Sequence, residues 1–327
     1  MYLKDIRFSI WADFIERDFL DNEFKELIEK NIVNGATSNP AIFKNAILNS
    51  SAYKEQLKKL SDKTPKEKYE ALAIYDIKKA ADILEPLYKK NDDGFVSIEV
   101  DPHFANDTEK TIKEAKKLWN EIDRKNLMIK VPATDEGCEA IKELVKDGIN
   151  INATLIFDPK YAQKCLDAIE EGLKNSKENP NIVLSIFVSR FDRKLDKILE
   201  EKGIEKGKVG ILNAAKIYNI IQKRALPNVR ALFASTGVKG DDYPPYYYIS
   251  ELIAPNSINT APIETIKSFV KYGKKDVKLP IMEEEIDNFF ENLKNSGIDM
   301  QKVYDELLKD GLVAFKDAFD EIMKELE

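Results

Sequence analysis

Histidine is nearly missing from this chain: His103 is the only one in 327 residues. A multi-histidine metal site is excluded, and a Ser-His-Asp triad would have to rest on that single ring. His103 follows a strand-like run and reads as a polar loop residue. Cysteine is almost as scarce. Cys138 and Cys165 fall in the helix-period stretches "GCEAIKELV" and "QKCLDAIEEG", too isolated for a zinc site, and a disulfide between them is not expected. Both read as buried, inert thiols. No run of about 18 apolar residues occurs, so no membrane-spanning helix is expected. The N-terminal "MYLKDIRFSIWADF" lacks a signal-peptide core, and a cytoplasmic protein is the expectation. A basic excess is absent too, since the net charge is -7, which argues against a nucleic-acid partner. Neither G-x-G-x-x-G nor G-x-x-x-x-G-K-[ST] is present. The nearest approach, "STGVKG" at 235–240, offers backbone N–H groups and one lysine, enough for a single phosphate.

What the chain does have is alternation. Strand-like runs occur at 7–14, 34–39, 95–101, 127–132, 151–157, 182–191, 230–236 and 257–262. Charged, helix-period stretches separate them. In "DTEKTIKEAKKLWNEID", Ile112, Ala115, Leu118, Trp119 and Ile122 recur at three- and four-residue steps and form one apolar stripe. The segments 64–90 and 207–225 have the same period. Eight strands alternating with helices predict an α/β fold, a (β/α)₈ TIM barrel. Residues from about 281 to 327 read as additional C-terminal helices. No linker divides the chain, so 1–327 reads as a single domain. The rival fold, an open doubly wound sheet, would want a glycine-rich phosphate turn after an early strand, and "NGATSNP" lacks that spacing.

Residues two apart on a strand share a face. In a barrel both faces are buried, so polar residues should be rare except near the strand ends that form the active face. Here they fall on one parity, strand after strand: Ser9 and Asp13 with Trp11; Thr37 and Asn39; Ser97, Glu99 and Asp101; Lys130 with Met128; Asn152 and Thr154; Ser185 with Phe187, Arg190 lying just past them. The seventh strand ends in Ser235 and Thr236. The pattern predicts a cluster of carboxylates, amides and hydroxyls around Lys130, in the apolar run "LMIKVPATDEG". The alternative is a purely structural polar network. No metal ligand set fits, since an ammonium would take the cation's place among Asp13, Glu99 and Asp101. A desolvated lysine is driven toward the neutral amine, a nucleophile that forms Schiff bases with carbonyl compounds. Neighbouring carboxylates then move the protons, and no cofactor is needed. The aromatic run at 246–248 reads as packing, not substrate stacking.

At these residues the chain resembles the transaldolases. "GATSNPAIF" (35–43) is similar to the family's first signature, and "MIKVPATDEG" (128–137) to the second, which carries the Schiff-base lysine. "INATLIF", "LSIFVSRFD", "FASTGVKG" and "ELIAPNSINTAP" resemble further family blocks, in order, along nearly the whole chain. The resemblance implies a (β/α)₈ barrel with the lysine on its fourth strand. It implies transfer of a dihydroxyacetone unit from sedoheptulose 7-phosphate to glyceraldehyde 3-phosphate, in the non-oxidative pentose phosphate pathway. Lys130 would then be the Schiff-base lysine, and Glu99 an acid/base acting through a water held by Thr154. Asp13 would handle the donor hydroxyl proton. Thr37, Asn39, Asn152 and Ser185 would bind the dihydroxyacetone hydroxyls. Arg190, Ser235 and Lys239 would bind phosphate; Lys239 replaces an arginine that some members carry after the seventh strand. Partners would be phosphorylated sugars, on a monomer or homodimer. A fructose-6-phosphate aldolase-like enzyme is the alternative within the family, and a non-catalytic sugar-phosphate binding barrel the alternative outside it. Phe187, where aldolase-like relatives carry a tyrosine, favours transfer, as do the C-terminal helices.

Overall fold

A computed structural model describes residues 2–327. Eight parallel strands close on themselves: β2 (Phe8–Ala12), β3 (Gly35–Thr37), β4 (Phe95–Glu99), β5 (Leu127–Pro132), β6 (Ile151–Ile156), β7 (Ile182–Phe187), β8 (Val229–Ala234) and β9 (Ser257–Ala261). The barrel shuts where β2 pairs with β9, Phe8 opposite Ser257 through Ala12 opposite Ala261. A two-residue strand β1 (Tyr2–Leu3) adds antiparallel to β2. This is the predicted (β/α)₈ barrel, with every expected strand in place.

The helices follow in chain order. The short α1 (Arg17–Asp21) and α2 (Glu23–Glu29) link β2 to β3, and α3 (Pro40–Asn49), α4 (Lys54–Lys59) and α5 (Pro65–Lys89) link β3 to β4. One helix follows each of the next three strands: α6 (Thr108–Ile122), α7 (Asp135–Lys146) and α8 (Pro159–Asn175). After β7 come α9 (Ser189–Glu201) and α10 (Val209–Arg224); after β8, α11 (Tyr247–Glu251); after β9, α12 (Ile263–Tyr272), α13 (Glu283–Asn295) and α14 (Met300–Glu325). Local chemistry starts them. Thr64 and Glu67 form a reciprocal capping box with Pro65 in the first turn of α5, satisfying N–H groups that the helix leaves free. The stripe expected on α6 is the buried face, with Ala115, Leu118 and Ile122 inward.

Two strand boundaries need correction. The run 182–191 stops at Phe187, because Ser189 and Arg190 already open α9, whose Phe191, Leu195 and Leu199 carry the apolar pattern on at helical spacing. Arg190 therefore sits on a helix. The run 95–101 stops at Glu99, and Asp101 turns away to cap a single 3₁₀ turn, Pro102–Phe104.

Parity sorts the two cores. Phe8, Ile10, Ile98, Ile129, Val131, Leu184 and Phe233 belong to the layer between strands and helices. Trp11, Phe95, Met128, Val183, Leu232 and Ile258 fill the barrel interior. Gly35 is required there, because a Cβ on it would lie 2.6 Å from the Trp11 ring. At the N-terminal end of the strands Asp93 accepts from Ser9 and from Trp11 Nε1 and pairs with Arg230, which also donates to the carbonyls of Arg7 and Ser257. Ser9, on the polar parity of the first strand, belongs to this floor, at the opposite end of the barrel from Lys130.

The chain's last helix, α14, packs against α3, α5, α9 and β6. Lys44 pairs with Glu321 at 2.7 Å, Lys68 Nζ donates to the carbonyl of Leu326, and Tyr304 donates to Asn213 Oδ1 at 2.9 Å. His103 is the loop residue expected, and it bridges Asp101 (2.9 Å) to Asp320 on α14 (3.2 Å). The cysteines are less isolated than their spacing of 27 residues implies. α7 and α8 lie side by side, and the two free, buried Sγ atoms are 2.8 Å apart. The 246–248 aromatics pack as expected: Tyr248 donates to Asp192, Tyr247 to the Gly207 carbonyl.

Candidate active site

Register builds the centre of the site. Glu99 on β4 pairs with Lys130 on β5, and Lys130 with Asn152 on β6, so three polar side chains share one level of the interior. Thr37 stands on β3, and Asp13 directly after β2. Lys130 is 5% exposed and Glu99 6%.

Lys130 Nζ donates to the Ser38 carbonyl at 3.2 Å and lies 3.4 Å from Glu99 Oε2. That second contact is an ion pair without hydrogen-bond alignment, and both Glu99 oxygens accept no hydrogen bond from the protein. The Thr154 hydroxyl, one level further along, is also buried and without a protein partner. Burial pushes the Glu99 carboxyl up to about 7; Lys130 pulls it down, and the neighbouring Asp13 pushes it up again. Burial raises Asp13 as well, against the attraction of Lys130 and the hydroxyl of Thr37, which donates to Asp13 at 2.7 Å. A carboxyl poised near neutrality beside an amine can give and take protons in one cycle. Buried orphan acceptors are rare unless something else occupies them.

The amides divide their capacity between structure and site. Asn39 Oδ1 caps α3 by accepting from Ile42 N at 3.0 Å, while the residue still lines the cavity. Asn152 accepts from Ser185 Oγ at 2.6 Å and donates to Ser97 Oγ at 3.3 Å. Those bonds leave both N–H groups of Asn39 and one of Asn152 for a ligand.

A cavity of about 110 Å³ opens over this cluster, and its lining includes Asp13, Thr37, Asn39, Lys130, Ser185, Phe187, Arg190 and Ser235. Eight of the twelve expected site residues thus meet in one space. Glu99, Asn152 and Thr154 do not line it: Glu99 and Asn152 flank Lys130 at its own level, and Thr154 stands one level further along β6. Lys239 is exposed on the loop after β8 and does not line the cavity. Ser235, at φ +55°, holds left-handed backbone at the rim, a strained state for a non-glycine residue. Among the described residues Arg190 forms no ion pair. Burial and the neighbouring Arg193 disfavour its charge, and Asp310 offsets them only in part, so a bound anion would complement it.

Four contributors went unnoticed in the sequence. Thr260 on β9 joins Thr37 in a 2.7 Å hydroxyl contact and lines the cavity; it shares its strand face with Ile258, while Ser257 and Asn259 stand on the other, so polar alternation does not single it out. The Ser38 carbonyl carries no side-chain signal at all. Gly311 and Phe315 come from α14. Phe315 lines the cavity with its ring centre 5.7 Å from Lys130 Nζ. Gly311, one helical turn earlier, lies so close to Leu155 and Arg190 that a Cβ would meet them at 2.9 and 3.2 Å. An isolated glycine in an apolar helical stripe was the clue to that close approach.

Comparison with known proteins identifies the family. The family described as Transaldolase/Fructose-6-phosphate aldolase matches residues 10–326. A transaldolase of Campylobacter jejuni subsp. jejuni serotype O:6 (strain 81116) is 49% identical over 330 aligned residues, covering 98% of this chain and 99% of the relative. A transaldolase of Helicobacter pylori (strain Shi470) is 43% identical, covering 97% and 98%. This chain therefore belongs to the transaldolase/fructose-6-phosphate aldolase family.

Proposed function

We propose that this chain is a transaldolase that carries a dihydroxyacetone unit on Lys130. One observation carries the reading: a buried lysine faces a carboxyl held near neutrality, and neither that carboxyl nor the buried Thr154 hydroxyl has a hydrogen-bond partner in the protein. The amine attacks the ketone carbon of a ketose phosphate such as sedoheptulose 7-phosphate. Glu99, protonated, helps expel water from the carbinolamine, and the departing water binds between Glu99 and Thr154. The resulting iminium is an electron sink. Asp13 takes the proton of the hydroxyl on the carbon next to the breaking bond, and the aldose leaves. Glyceraldehyde 3-phosphate takes its place, and the steps reverse.

Thr37, Asn39, Asn152 and Ser185 are suited to the hydroxyls of the bound unit. Arg190 and Ser235 suit the phosphate, while the exposed Lys239 would act on it only from outside the lining. Phe187 offers no hydroxyl to activate water, which favours transfer over aldolase-type release. One chain supplies every lining residue, so a monomer serves as well as a homodimer. Among the described residues no helix is long and apolar enough to cross a membrane, and we place the activity in the cytoplasm. Borohydride added with fructose 6-phosphate should fix one three-carbon adduct on Lys130, read by mass spectrometry of peptides. An adduct elsewhere, or none, would refute the mechanism.

A further inference from the structure

We infer that Phe315 decides whether the three-carbon unit held on Lys130 passes to an acceptor or is lost to water. The inference rests on the Schiff-base reading above and adds to it the control of what happens between cleavage and transfer.

After the aldose leaves, the bound unit is an enamine. Its nucleophilic carbon lies two bonds from Lys130 Nζ, within reach of a phenyl ring centred 5.7 Å from that atom. Two fates compete for this carbon. It can attack an aldehyde, which is transfer. Or it can take a proton from water: the C=C electron pair forms the C–H bond, the nitrogen becomes an iminium, and hydroxide remains. That hydroxide then adds to the iminium carbon, the C–N bond breaks, and the nitrogen takes the hydroxyl proton. Net, one water is consumed, and dihydroxyacetone and the free amine result.

The structure is built against the second fate. The cavity lining joins polar side chains, among them Asp13, Thr37 and Ser185, with the phenyl rings of Phe187 and Phe315. At about 110 Å³ it has the room of roughly four waters at about 30 Å³ each. A bound three-carbon unit displaces most of them, and the rings give replacements no hydrogen bond. Phe315 is 5% exposed and belongs to the interior core with Met128, Leu155 and Phe187. Its seat is specific, since Gly311 lets α14 settle onto Leu155 and Arg190. The ring also faces the iminium cation that transfer must pass through. Phe187 is fixed from the barrel itself on β7, whereas Phe315 is delivered by a helix that crosses the mouth.

The test measures two rates on the purified full chain: transfer from fructose 6-phosphate to erythrose 4-phosphate, and release of free dihydroxyacetone without acceptor. Phe315→Ala should raise the ratio of release to transfer by about tenfold or more, because water regains the enamine carbon. Phe315→Leu, which keeps apolar cover, should hold the ratio within about twofold of wild type. Where the alanine chain does not fold, Phe315→Val carries the same criterion with a smaller volume loss. A ratio that stays at the wild-type value while both rates fall together would make Phe315 a packing residue only and overturn the inference. Borohydride trapping on each chain separates this from the underlying reading. No Lys130 adduct in the wild type refutes the Schiff base, whereas an adduct with an unchanged ratio refutes only the role of Phe315.

Discussion

Glu99 concentrates the chemistry at the scale of one residue. Its carboxyl sits near 7 because burial outweighs the attraction of a lysine 3.4 Å away. At that value it is a competent acid and a competent base at neutral pH, which dehydration of a carbinolamine and its reversal both require. Glu99→Gln keeps the shape and removes the proton. Turnover should fall by about 10²-fold or more, as for the loss of a general acid–base group. The limb of the kcat against pH profile near pH 7 should vanish with it, while circular dichroism stays native. A variant that kept the limb would assign that titration to another group. Lys130 stands out in the sequence as a candidate functional residue because an ammonium inside an apolar strand has few structural uses. The orphan oxygens of Glu99 do not, since sequence cannot show which acceptors lack donors.

At the scale of elements, period-two and period-3.6 patterns placed all eight strands and the main helices, because both faces of a barrel strand are buried and its helices need one apolar stripe. Failures came where one pattern ran into another. Val188 and Phe191 prolong the apolar run of β7, yet the chain has already turned into α9. The role of α14 was unreadable for a different reason: its stripe declares a buried face but not the surface that buries it. Gly311 gives a direct test. Gly311→Ala gains up to about 1 kcal/mol of helix propensity, but its Cβ must push Leu155 and the Arg190 guanidinium aside. The melting temperature should hold or rise while KM for a sugar phosphate increases several-fold. Unchanged KM would show that Arg190 has freedom to spare.

At the scale of the molecule, ionic groups are tied up far from the chemistry. Arg230 and Asp93 close the barrel floor, and the two thiols meet across α7 and α8; long-range pairs of this kind leave no local trace in a sequence. Asp192 joins three elements, accepting from Gly210 N at 3.0 Å at the start of α10 and from Tyr248 in α11 at 2.9 Å. Burial pushes its carboxyl up to about 7, against the Gly210 N–H and with help from the charge of Asp196. The folded chain therefore holds this proton more tightly than the unfolded chain. The stabilisation is complete below about pH 4 and is lost as pH rises through about 7. Asp192→Asn, which can accept from Gly210 and donate to Tyr248, removes that dependence. In urea unfolding, the mutant should gain on the wild type between pH 4 and 7, by up to about 1.4 kcal/mol per pH unit. A stability difference that stayed constant across this range would mean that Asp192 does not titrate there.

The position of Phe315 along the chain has a consequence for synthesis. The closing pair of strands, β2 and β9, is complete once Ala261 has been made, and domains form from the N-terminal side as they emerge. A chain still on the ribosome can thus own a closed barrel, a lysine and its carboxyls, yet have an open mouth until α14 arrives. If the Schiff-base reading and the role inferred for Phe315 hold, such a nascent barrel would bind a ketose phosphate and lose the carbon unit to solvent. Closing the barrel and covering its mouth are therefore separate events along the chain, set by β9 and by α14.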